Sequence, residues 1–284
     1  MTWMRARIEG SLLDQADYDQ KAIISMMRMV TLKDRSTLRV LDIGQGEPIL
    51  LLPMIAELNF VYAPQIEGFQ DDYRIILYEP RLSAEKRVGV AERVKEALAL
   101  LSHFGIEDTH IIVWGDTGAA AYQLAKYFPN KCRSLVFIGL ADKYRFPQPY
   151  QFLLQLLRHL PIEFLVSPSA FAALLGKFVG GTQVKPEWIV QRTAQVPDIT
   201  RLFKQSILPN LFEHNPKVGE VRVKSLVIGG DHDRIVSVSQ ARRMATLLPS
   251  VHSVVILPGG EHFVSYVDAA TVNKVIREFY NSLA

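Results

Sequence analysis

The stretch Ile111 to Pro129, IIVWGDTGAAAYQLAKYFP, decides how the rest of the chain is arranged. A short apolar run, Ile111 to Trp114, stops at Gly115-Asp116-Thr117-Gly118. Ala119, Ala120, Ala121, Leu124 and Ala125 then follow. This predicts a buried strand, a sharp turn and a helix pressed on the sheet, with a carboxylate at the turn. Gly and Ala let backbones approach closely, and the helix N-terminus after the turn favours negative charge. A plainer reading makes Asp116 an ordinary N-cap, a role Asp commonly fills. Two later segments bear on the choice.

Around this stretch, apolar runs recur as strands. Met27 to Leu32 and Leu38 to Ile43 flank the turn-forming Lys33-Asp34-Arg35-Ser36. Ile49 to Leu52 follows the loop Gly44 to Pro48, and Tyr73 to Tyr78, Ser134 to Gly139, Ser225 to Gly229 and Ser253 to Leu257 complete the set. Between Ser83 and Phe104, Val90, Val94, Ala97, Leu98 and Leu101 recur at helical spacing, and Ala269 to Leu283 closes as a helix. Continuous apolar strands alternating with helices imply an α/β fold with a mostly parallel, doubly wound sheet covered on both faces. Residues 1 to 25 are polar-rich and weakly helical, with no function evident.

One region breaks the alternation. From Ala141 to Val218 no strand is evident, and helical patches run through Phe152 to Leu160, Ala170 to Phe178, Glu187 to Ala194 and Ile199 to Phe212. Residues 141–218 are therefore expected to form a helical lid inserted into a core of residues 1–140 and 219–284. It would lie over the carboxyl edge, where open α/β sheets bind ligands.

Composition narrows the partners. With 284 residues, 49% hydrophobic and 21% charged, the chain can bury a sizeable core. A net charge of +3 from scattered basic residues argues against nucleic acid. The single cysteine, Cys132, excludes a disulfide framework and a metal–cysteine cluster. No apolar run approaches the length of a membrane helix and no secretory signal is evident, so a cytoplasmic protein with no membrane contact is expected.

Two loops carry chemistry. Gly229-Gly230-Asp231-His232-Asp233-Arg234-Ile235-Val236 follows one apolar strand, and Pro258-Gly259-Gly260-Glu261-His262-Phe263 follows the next. Singly, such an Asp is usually a turn residue and such a His structural. Together with Asp116, they place a turn carboxylate, an acid and an imidazole at one sheet edge. That is the nucleophile, base and orienting-acid logic of covalent hydrolysis.

Over residues 28 to 284 the sequence resembles the α/β-hydrolase fold superfamily, through the order of elbow, acid and histidine and the helical insertion before the acid strand. In GGDHDRIV, Asp233 falls where the family's acid sits, and LPGGEHF puts His262 at the base position. GIEDTHIIV, YFPNKCRSLVFIG and YRIILYEPR match scaffold segments, and Asp142 is an alternative acid. The departures concern the nucleophile, since G-x-S-x-G is absent. Asp116-Thr117-Gly118-Ala119 resembles the D-x-G-G elbow of epoxide hydrolases and haloalkane dehalogenases, although Trp114 replaces a small residue. A gap-free reading from Gly105 to Pro129 puts Gly115 at the nucleophile position and leaves no nucleophile. A third register puts the hindered Thr117 there. Asp116 is the favoured reading. Pro53-Met54 stands where the family has His-Gly, with the Met54 and Thr117 peptide N–H groups as oxyanion donors.

The resemblance implies that Asp116 forms an alkyl ester that His262, oriented by Asp233, hydrolyses with water, without metal or cofactor. Tyr144 and Tyr150 are candidate acids for epoxide opening, and Trp114 and Trp188 candidate halide donors. Pro53, Trp114, Tyr144, Tyr150 and Trp188 are the expected pocket residues. The alternatives are a lyase, isomerase or cyclase using acid–base chemistry at Asp116 and His262, or a non-catalytic binder. The expected partner is a small, largely apolar molecule, and the expected assembly a monomer or homodimer.

Overall fold

In a computed structural model, residues 3–83, 85–146, 148, 150–161 and 166–283 are described. Eight strands form one sheet in the order β1-β2-β4-β3-β5-β6-β7-β8. They are β1 (Arg28–Thr31), β2 (Thr37–Ile43), β3 (Glu47–Leu52), β4 (Tyr73–Tyr78), β5 (Thr109–Trp114), β6 (Cys132–Ile138), β7 (Ser225–Gly230) and β8 (Val251–Leu257). β1 and β2 form an antiparallel margin, β2 running antiparallel to β4 as well, and β3 to β8 are parallel. The antiparallel step follows from the short Lys33–Ser36 turn, because a parallel pair needs a crossover of a dozen or more residues.

The apolar alternation of each strand feeds two cores. Leu50, Leu52, Ile111 and Val113 face α3 (Val90–His103), α4 (Gly118–Tyr127) and α10 (Val238–Thr246). Ile49, Leu51, Ile112 and Trp114 face α1 (Leu12–Met26), α2 (Ala63–Phe69), α11 (Val264–Val267) and α12 (Ala269–Asn281). All six β5 residues are buried, as a strand with neighbours on both sides and helices on both faces must be.

The weak helical signal near the N-terminus is α1, opened by a capping box in which Ser11 and Asp14 satisfy each other's backbone. The extended segment before it is tied down by Arg5, whose guanidinium pairs with buried Asp19 at 2.6 Å. Tyr266 donates its hydroxyl to the same carboxylate.

Between β6 and β7 the chain forms α5 (Tyr150–His159), α6 (Pro168–Val179), α7 (Pro186–Ala194), α8 (Ile199–Leu202) and α9 (Leu208–Glu213). A π turn at Phe203–Ile207 separates α8 from α9 just ahead of Pro209, which cannot continue regular helix bonding. Phe171, Ile199, Phe203 and Leu208 form a third, smaller core with Ile55 of the sheet edge. None of the chain's described helices is long and apolar enough to cross a membrane.

Candidate active site

The carboxyl ends of β3, β5, β7 and β8 meet around one imidazole. The Asp233 loop is fixed by its own turn: one carboxylate oxygen accepts from the Ile235 and Val236 N–H groups at 2.7 and 2.9 Å. The other oxygen lies 2.9 Å from His262 Nδ1, and both side chains are buried. That leaves Nε2 as the ring nitrogen not engaged by Asp233. Asp231 instead accepts from Gly259 N–H at 2.7 Å, a turn role. Asp142 faces Arg145 and Arg243 and has no bond to His262.

The elbow takes its shape at Gly115. Trp114 is extended, Gly115 has φ +67°, and Gly115–Thr117 form a single 3₁₀ turn leading into α4. The left-handed residue, the feature that turns a strand sharply into a helix, is therefore Gly115, where the penalty for a Cβ does not apply. A Cβ added there would lie 3.8 Å from His262 Nε2 and 3.1 Å from Met54 Cε. The space a nucleophilic side chain would fill stands directly in front of the imidazole.

Asp116 is one residue past that apex and 2% exposed. Its Oδ2 accepts a 2.7 Å bond from Asn210 Nδ2 of α9, and Oδ1 has no partner. Burial pushes its carboxyl up, opposed by Arg93, the Asn210 hydrogen bond and His262. Thr117 donates its hydroxyl to Trp114 O at 3.0 Å. The Trp114 indole N–H is likewise committed, to His262 O at 2.8 Å.

Arg93 holds the Pro53-Met54 loop by donating 2.9 Å bonds to both of its carbonyls. Tyr62 bridges two strand ends, donating to Leu52 O and accepting from Trp114 N–H. Gly139, with φ +64°, leaves room for the pair: a Cβ there would meet His262 Cε1 at 3.3 Å and Asp233 Oδ2 at 3.7 Å. Gly139→Ala is expected to cost about 1–3 kcal/mol in backbone strain and to push the imidazole off Asp233. Urea denaturation reads the first effect, and the His262 NMR resonance the second.

A cavity of about 150 Å³ opens at this edge. Met54, Trp114, Gly115, Asp116 and His262 line it from the sheet edge, and Tyr144, Leu154, Phe171, Leu175, Ile189 and Phe203 from the insertion. Of the expected pocket residues, Trp114 and Tyr144 line it. Pro53 does not, but supports the loop beneath it. Trp188 lines a separate cavity beside α1 and packs on Phe60 and Phe263. The side chain of Tyr150 lies outside the described residues. Burial raises the Tyr144 hydroxyl well above its ordinary range, with Asp116 and Asp233 adding to the effect. It stays protonated.

Asn210 and Glu261 escaped the sequence reading, because nothing in local spacing marks them. Arg93 had a signal: it sits on the stripe of Val90, Val94 and Ala97, where a cation is out of place. At the opposite sheet edge, His110 lies 2.7 Å from Ser134 Oγ and 3.2 Å from Glu47. Ser134 is fully buried, so this Ser–His–Glu set is closed to substrate at its hydroxyl and acts as a strap between β5 and β6. Among the described residues no group of three or more His, Cys, Asp or Glu is placed to hold a metal.

The sequence profile of the α/β hydrolase fold family matches residues 48–269, most of the sheet and the whole insertion. The chain belongs to this family. A relative of this α/β-hydrolase-fold enzyme is the 2-hydroxy-6-oxo-6-phenylhexa-2,4-dienoate hydrolase of Burkholderia cepacia. It is 20% identical over 263 residues, covering 84% of this chain and 89% of the relative. Among solved structures, a thermophilic esterase from Thermogutta terrifontis superposes with TM-score 0.73 at 16% identity, covering 90% of this chain and 98% of that one. An epoxide hydrolase from Vigna radiata gives TM-score 0.68 at 15% identity, covering 90% and 97%. An esterase and an epoxide hydrolase match nearly equally, so the fold alone does not choose the reaction.

Proposed function

We propose that this enzyme is a cofactor-independent hydrolase in which His262, oriented by Asp233, activates water over Gly115 with no covalent intermediate at the elbow. The observation that carries the reading is the left-handed Gly115, with the open position of its absent side chain 3.8 Å from His262 Nε2. A water there gives its proton to Nε2 as its oxygen attacks an electrophilic carbon, and the imidazolium, stabilised by Asp233, returns that proton to the leaving group as its bond to that carbon breaks. With the apex at Gly115, the N–H groups flanking the attacked centre are those of Met54 and Asp116, and Thr117 moves out of that role. The apolar walls suit a small, largely apolar molecule enclosed by the insertion acting as a lid. The Burkholderia relative's substrate joins a phenyl ketone, which these walls suit, to an enol carboxylate, for which Arg192 is a cation in the lining, and conjugated oxo-enoates are the substrate class proposed.

An epoxide hydrolase-like or dehalogenase-like reaction through Asp116 fits less well. Its carboxylate would have to leave Asn210, and the Trp114 N–H that could hold a halide is already bonded. A second reading, proton transfer without water to give a lyase, isomerase or cyclase, is favoured by one observation: most of the side chains lining the cavity around His262 are apolar.

A single turnover of a 2-hydroxy-6-oxo-dienoate in H₂¹⁸O separates these. Water attack puts ¹⁸O in the first product and none in the peptide bearing Asp116. Label in that peptide overturns the reading in favour of an Asp nucleophile, and unlabelled product in favour of proton transfer.

A further inference from the structure

The residues that follow Asp233 and precede His262 both reach into the helical insertion. Glu261 points its carboxylate at the loop joining α6 to α7. There it accepts from Thr182 N–H at 2.6 Å, Thr182 Oγ1 at 2.7 Å, Gln183 N–H at 3.1 Å and Val184 N–H at 3.4 Å. Arg234 donates to Gly180 O in the same loop at 3.1 Å. Successive backbone N–H groups converging on one carboxylate form an anion nest, and charge-assisted bonds of this kind are the strong ones. The loop is closed on itself by Gly181 N–H to Val184 O at 2.7 Å. α6 and α7, which it joins, supply Phe171, Leu175 and Ile189 to the cavity wall.

We propose that Glu261 is a positioning residue that sets the place of the His262 imidazole by anchoring its loop to the α6–α7 hairpin. This rests on the reading that the insertion closes over His262. The physical argument is covalent adjacency. His262 Nδ1 is fixed by Asp233, but the imidazole's remaining freedom lies in its backbone, one peptide bond from a carboxylate held by four donors. With Arg234 doing the same one residue after Asp233, both halves of the pair are referenced to the same loop. Closure of the hairpin and alignment of the pair are then one event. A neutral amide at 261 cannot accept four donors: its NH₂ group would face N–H groups.

The test uses the full chain with ¹³C-labelled histidine and hydrogen exchange read by mass spectrometry. In Glu261→Gln the His262 ring resonance, assigned by its loss in His262→Asn, is expected to shift while the other six histidines stay in place. Amide exchange over residues 168–194 should rise by about tenfold or more, the size expected from losing a charge-assisted bond, with β5 unchanged. Thr182→Val, which removes one donor, should give a smaller shift in the same direction. An unmoved His262 resonance overturns the proposal, and so does faster exchange spread equally over β5, which marks general destabilisation. Neither measurement involves turnover, so failure of the hydrolytic reading is separately visible.

Discussion

Gly115→Ser is expected to convert an enzyme that fluorophosphonates do not label into one that they label stoichiometrically at residue 115. The added Cβ would stand 3.8 Å from His262 Nε2, which brings an Oγ within hydrogen-bond reach of the base. His262 already has its Nδ1 bonded to Asp233, so the variant completes a Ser–His–Asp arrangement without any other change. Two costs are foreseeable. A non-glycine residue at φ +67° stores about 1–3 kcal/mol. The 3.1 Å contact falls on Met54 Cε, the free end of a flexible side chain, which can swing aside. Labelling should slow by about 10²–10⁴-fold when His262→Ala is added, the usual contribution of a general base. Peptide mapping checks the site. Labelling of the native chain at Thr117 would sink the reading that the elbow lacks a nucleophile.

The same elbow shows what the sequence could and could not supply. β5 was legible because the unbroken apolar run Ile111 to Trp114 has one physical meaning, a strand covered on both faces, whereas Thr109 and His110, buried but polar, extend it beyond that run. The apex was not, because Gly115 and Asp116 are adjacent and both residue types tolerate the left-handed region. One residue of register moves a side chain from the imidazole to the far side of the turn. Asp233 and His262 were legible because each follows an apolar strand directly, so the strand end alone delivers them to the sheet edge. Asn210, Arg93 and Glu261 act across the fold: Asn210 meets Asp116 from 94 residues away, and Glu261 meets Thr182 from 79. The roles of Asn210 and Glu261 come from packing between segments, which leaves no periodic trace, and the stripe that marks Arg93 as buried does not say which carbonyls it meets. The helix α10 carried a local signal that went unused, the Ser237–Gln240 capping box.

His262→Ala and Asp116→Asn are expected to differ sharply, and the contrast assigns both residues. Removing the imidazole takes away the base proposed to act over Gly115, and kcat should fall by about 10²–10⁴-fold with little change in KM. Asp116→Asn keeps an oxygen to accept from Asn210 and should stay within about tenfold of the native rate, whereas a nucleophilic aspartate could not be replaced so cheaply. Stability gives an independent reading. Burial raises the Asp116 pKa in the folded chain, so its contribution is fully present below the unfolded value of about 3.9 and is lost as pH rises through the folded value. Asn cannot ionise and suffers no such loss. The urea midpoint of Asp116→Asn relative to the native chain should therefore improve as pH is taken from 4 to 8. A relative midpoint that instead declines over that range would mean the ionised carboxylate is held by groups stronger than Asn210. Asp116 would then return as a candidate for chemistry rather than an anchor for α9.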